Sequence, residues 1–164
     1  MLCILLFIPA NVKPQDYSRI SFCTGLGNYE TLFVGMGWQT GQKNILYLSV
    51  GGNLGVSKGQ YFNITLEDKF YLLSSTIPRF TLHGKLIYWR YEDSYFEWAT
   101  LGLTPAIGYT LALSDKWYFE INAGTVFNIQ LESERKNYLR AGWHNQTDWN
   151  ATIKVIYNIQ QREK

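Results

Sequence analysis

Apolar and polar residues alternate with a period of two along most of the chain, most clearly from Trp117 to Glu132. The odd positions there are Trp117, Phe119, Ile121, Ala123, Thr125, Phe127, Ile129 and Leu131. The even ones are Tyr118, Glu120, Asn122, Gly124, Val126, Asn128, Gln130 and Glu132. Successive Cβ atoms of a strand point to opposite faces, so this segment predicts one strand, apolar on one side and polar or small on the other. Ordinary strands run about 5–6 residues. This one is far longer, the length needed by a strand that crosses a bilayer and extends beyond it.

The same pattern recurs upstream and downstream. Ala99, Leu101, Leu103, Pro105, Ile107, Tyr109, Leu111 and Leu113 oppose Thr100, Gly102, Thr104, Ala106, Gly108, Thr110 and Ala112. The second set is small throughout, as expected of side chains crowded inside a narrow barrel. Pro105 removes a ladder donor and predicts a bulge. Trp149, Ala151, Ile153, Val155, Tyr157 and Ile159 form a last apolar file. Five weaker alternations lie in Arg19–Leu26, Thr31–Trp38, Leu46–Leu54, Phe62–Leu72 and Phe80–Trp89. Asp68 breaks the apolar file of the fourth strand, which predicts a bulge or a membrane exit at Glu67-Asp68-Lys69.

Eight strands result, an even number that lets both termini share one end. Turn residues at 40–43, 74–78 and 114–116 fall at that end, and only the connection 133–146 at the other is long. The fold expected is an all-β, eight-stranded antiparallel up-and-down transmembrane β-barrel over residues 16–160, followed by a polar tail at 161–164.

Which face meets hydrocarbon follows from content. The Thr100–Ala112 set lacks charge and would make a poor solvent surface, so it is assigned to the lumen. Tyr17, Trp38, Trp117 and Tyr157 then fall near the lower rim, and Trp89, Tyr95, Trp98 and Trp149 near the upper one. Two such rings match the aromatic girdles of membrane barrels. A soluble, lipocalin-like ligand-binding barrel would have the opposite polarity.

Composition agrees with that orientation. Aromatic residues make up 16% of the 164 positions and charged residues only 17%, an unusual balance for a water-facing domain. The net charge of +2 comes without any basic run, which excludes a nucleic-acid partner. Leu2–Ile8 is an apolar run too short to span a bilayer, so residues 1–15 are read as a cleaved signal peptide directing export to the outer membrane. Cys3 would leave with that leader and Cys23 would remain without a disulfide partner.

Leu103–Gly124, with its Pro-Ala-Ile-Gly-Tyr strand, Ser-Asp turn and Trp-Tyr-Phe-Glu-Ile-Asn-Ala-Gly strand, resembles the hairpin of Bacteroidetes-type outer-membrane β-barrel proteins. The stretch from Tyr17 to Ile159 is also similar to the wider OmpA/OmpX/OmpW-like class of small barrels. This resemblance implies architecture and no single activity, because such barrels host many roles.

An inward polar face collects Arg19, Glu67, Lys69, His83, Lys85, Glu120 and Lys154. Ionisable groups in a poorly hydrated lumen are costly unless paired, so these predict an ion-pair network. It serves either as a structural polar core or as the plug or gate of a narrow pore. His83 and His144 lack the Ser or paired-carboxylate company that catalysis or a metal site needs. No enzyme activity, metal or cofactor is expected. The loop from Glu132 to Gln146 carries Tyr138, Arg140, Trp143 and His144, residue types that anchor a protein partner when exposed. Membrane lipid is the other partner expected.

Overall fold

The computed structural model describes residues 20–41, 43–53, 60–72, 79–92, 96–114, 116–135 and 147–159. Within them lie eight strands: β1 (Ile20–Gly27), β2 (Thr31–Gln39), β3 (Asn44–Gly52), β4 (Gln60–Tyr71), β5 (Arg79–Glu92), β6 (Phe96–Ala112), β7 (Trp117–Arg135) and β8 (Thr147–Ile159). Each pairs antiparallel with its sequence neighbour, and β1 closes on β8 from Ile20↔Ile159 to Gly27↔Thr152, making a closed barrel. The lower end is the one carrying Ile20 and Ile159.

The alternation read from the sequence fixes the two faces. On β7 Trp117, Ile121, Phe127, Ile129 and Leu131 are exposed, while Glu120, Asn122 and Val126 are buried. On β4 Phe62, Ile64 and Leu66 face out, whereas Asn63, Thr65, Glu67 and Lys69 face in. Among the described residues, eighteen buried side chains are polar or charged and nine are hydrophobic. That ratio inverts the ordinary globular arrangement.

Several local expectations are corrected. The β4 register runs unbroken through Glu67, Asp68 and Lys69, so Asp68 stays in the ladder with its side chain on the outer face. No bulge forms at Pro105 either. The β6–β7 register is the same on both sides of it, from Leu103↔Phe127 to Ala106↔Gly124, and shifts instead between Ala99 and Thr100. Beside this stretch, a Cβ on Gly124 would lie 2.6 Å from Ala106 Cα, so only glycine permits this close approach of β6 and β7. Strand β7 continues to Arg135, taking three residues from the loop expected at 133–146. Trp89 is 5% exposed and lies in the interior, not in an upper girdle. Trp38, Trp117 and Trp149 are outward and exposed, with Trp117 tilted against Tyr157 at 4.8 Å between ring centroids.

Candidate functional site

The interior has two kinds of wall. Strands β1–β3 line it with glycine and aromatic rings. Gly25 pairs directly with Phe33, and Gly37 with Tyr47. A Cβ at Gly37 would overlap the Tyr47 ring, lying 2.7 Å from its Cδ1, so the ring takes the space of the missing side chain. Cys23, Phe33, Tyr47 and Ile156 form one buried apolar cluster on this side.

Strands β4, β5, β7 and β8 supply the charges. Lys154 Nζ lies 2.6 Å from Glu67 Oε1 and 3.0 Å from Glu120 Oε1, bridging two carboxylates from different strands. Lys69 pairs with Glu120 Oε2, which also accepts a hydrogen bond from the Thr110 hydroxyl at 3.0 Å. His83 Nδ1 is 2.6 Å from Glu67 Oε1, and its Nε2 is 2.8 Å from the Thr81 hydroxyl. Both ring nitrogens of His83 thus have a partner, with donor and acceptor roles set by the tautomer. The Lys154 ammonium also stands 4.9 Å from the centre of the Tyr47 ring, so the charged wall meets the aromatic one there.

Lys85 does not join this group through a hydrogen bond. Its ammonium is 2.6 Å from Glu30 Oε1 and 2.8 Å from the Thr152 hydroxyl, which in turn is 3.0 Å from Glu30 Oε1. Glu30 belongs to the β1–β2 turn yet is only 2% exposed, and sequence reasoning missed it. The following residue, Thr31, has a φ of 52°, a left-handed conformation rare for a β-branched residue. An acid in a short turn ordinarily reads as solvated. Charge balance was the available signal: Lys69, Lys85 and Lys154 face only Glu67 and Glu120, and a third carboxylate is required. With Glu30, three buried acids match three buried ammonium groups among the described residues.

Of the residues expected in the lumenal network, Glu67, Lys69, His83, Lys85, Glu120 and Lys154 all point inward and are buried. Arg19 lies outside the described residues, as do Tyr138, Arg140, Trp143 and His144 of the upper loop. Glu67, His83 and Glu120 offer ligand atoms within 4.8 Å of one another. Lys154 already occupies the carboxylate oxygens between them, so this set suits a tethered ammonium and not a divalent ion. Above the charges, Ile87 and Trp89 follow Lys85 on β5, and Val126 follows Glu120 on β7. These three form an apolar cap, with the Tyr29 ring tilted against Trp89 at 5.0 Å between centroids.

Fold and interior together define a class: a closed eight-stranded up-and-down barrel, apolar outside and ionic within. Two solved barrels are similar to it. One is the N-terminal β-barrel domain of Pseudomonas aeruginosa OprF, with a TM-score of 0.61 and 13% identity over 87% of this chain and 98% of that one. The other is Acinetobacter baumannii CarO2, with a TM-score of 0.50 and 11% identity over 88% of this chain and 100% of that one. At such identities the likeness concerns the fold alone. No protein family and no curated protein matches the chain by sequence.

Proposed function

We propose that this chain is an outer-membrane β-barrel protein, exported by a leader within residues 1–15, whose role is structural or interactive rather than catalytic. The observation that carries this reading is the inverted burial, with eighteen polar side chains inside against nine hydrophobic ones. An exterior of Phe22, Leu48, Leu66, Leu82, Ile107, Ile121 and Ile153 would be an aggregation surface in water and is ordinary in hydrocarbon. A soluble ligand-binding barrel requires the reverse polarity.

The interior serves as a plug. Lys69, Lys85 and Lys154 are at most 1% exposed, each against a carboxylate, and Ile87, Trp89 and Val126 cover them on the upper side. An ion-pair core of this kind holds the strands together from within, so partner contacts fall outside the lumen. Tyr138, Arg140, Trp143 and His144 are the groups we assign to a protein partner. The rival reading is a narrow solute pore.

Two measurements test this. Ile121→Arg places a cation on the outer face and should cost about 2–4 kcal/mol of folding stability in lipid vesicles, with loss of heat-modifiable migration on gels. A freely soluble variant of normal stability would invert the assignment of faces. Planar-bilayer recording should show no steady unit conductance, and steps altered by Lys85→Ala would transfer the lumen to the pore reading.

A further inference from the structure

Among the described side chains of the strands, Asp68 is the one carboxylate or cation on the outward face between Arg90 and the lower end. It is not at the edge of the apolar surface. Phe62, Ile64 and Leu66 lie above it on β4, and Phe70 lies below it, followed by Leu72 just past the strand end. The ladders set Gly84 directly beside Asp68, and Pro105 beyond Gly84. One outward row above runs Leu66–Leu86–Leu103, and one row below runs Phe70–Leu82–Ile107. A Cβ built on Gly84 would meet nothing within 4 Å. Asp68, Gly84 and Pro105 therefore form a shallow trough between two ridges of large apolar side chains, with a carboxyl group at one end.

In hydrocarbon a carboxyl group needs a partner. Small residues that allow close approach, joined by a polar contact, are how membrane-embedded surfaces associate. A donor lies on the same face. Tyr109 is outward on β6, two outward steps below Pro105, with its ring against Phe80 at 5.2 Å. Strand tilts of about 35–45° bring it to nearly the depth of Asp68. Gly84, on β5, stands between the acceptor's strand and the donor's strand. A two-fold axis along the membrane normal at Gly84 would lay β4 of one copy against β6 of the other. An isologous contact makes each such pairing twice.

We propose that the outward face of β4–β6 is a membrane-embedded interface for a second copy of this chain, centred on Gly84, in which Asp68 accepts a hydrogen bond from Tyr109 of the other copy. This rests on the outer-membrane reading above. The test uses the full chain in lipid vesicles, with Cys3→Ala and Cys23→Ala removing the native thiols. Gly84→Cys should oxidise to a covalent dimer, while Leu26→Cys on β1, across the barrel, should not. In the native background Asp68→Leu and Tyr109→Phe should each weaken dimerisation about tenfold, with heat-modifiable migration retained. Equal cross-linking at both cysteines, a dimer indifferent to both substitutions, or a cross-link to some other protein would overturn the interface. A chain that inserts but stays monomeric overturns it alone. One that remains outside the vesicles overturns the membrane reading with it.

Discussion

The wall made by β1–β3 and the wall made by β4, β5, β7 and β8 fill one lumen by opposite means. The first sets Phe33 and Tyr47 against Gly25 and Gly37, so its volume comes from rings that take the space of missing side chains. The second projects long charged side chains that reach one another across strands. Lys154 touches both arrangements, held by Glu67 and Glu120 and facing Tyr47. A narrow barrel can thus be filled without a continuous apolar core. The condition is that every charge is matched, because an unmatched one in low dielectric costs more than any single contact returns.

The largest effect expected from breaking this contrast is at Lys154. Lys154→Met keeps the bulk but leaves Glu67 and Glu120 sharing fewer cations, and should cost about 3–5 kcal/mol in urea titrations monitored by tryptophan fluorescence in vesicles. A loss below that range would mean the charged wall is held chiefly by its backbone ladders. Glu120→Gln, which alternation alone treats as silent, should be damaging for the same reason, since Lys69 and Lys154 both depend on it.

On the other wall, Gly37→Ala sets a methyl 2.5 Å from Ser21 Oγ and 2.7 Å from Tyr47 Cδ1. Overpacking of this sort costs about 1–3 kcal/mol. Thr104→Val sharpens the comparison from the opposite side. Thr104 is buried on β6 beside Lys85 of the charged wall, yet its hydroxyl has no hydrogen-bond partner among the described residues, so an isosteric apolar residue should change stability by less than about 1 kcal/mol. A large loss at Thr104 would show that polarity as such, rather than pairing, holds this wall.

The smallest effect is expected at the upper rim, where the Tyr29 hydroxyl is 2.6 Å from Asp148 Oδ2. The hydrogen bond from Tyr29 holds the Asp148 carboxyl below its ordinary range. Burial, and then the bond to Asp148, push the Tyr29 phenol up to about 12 from 10.0. Asp148 therefore adds stability above its unfolded-state value, lost as acid protonates it in the fold. Tyr29 adds stability that is complete below pH 10 and lost as pH rises toward 12. Tyr29→Phe should flatten both limbs of the stability–pH curve together, and a change in only one limb would separate the two groups.

Strand number, strand order and the facing of nearly every side chain were legible in the sequence. A period of two assigns each residue to a face, and one long segment such as Trp117–Leu131 shows which set is apolar. The buried positions of Glu67, Lys69, His83, Lys85, Glu120 and Lys154 follow from that parity. Who pairs with whom does not. Parity says that two residues look inward, but their relative depth depends on ladder registers between strands distant in sequence. Lys85 was thus grouped with Glu67 and Glu120, although its partner is Glu30, and Glu30 is in a turn where no alternation exists to assign it. The irregularity at Ala99/Thr100 and the unbroken ladder at Pro105 are likewise settled by neighbours across the sheet, whereas the interior position of Trp89 follows from the parity it shares with Lys85 and Ile87. Local backbone geometry sets which way a side chain points, and it acts over one or two residues. Closure of the barrel sets what that side chain meets, and it acts through all eight strands at once.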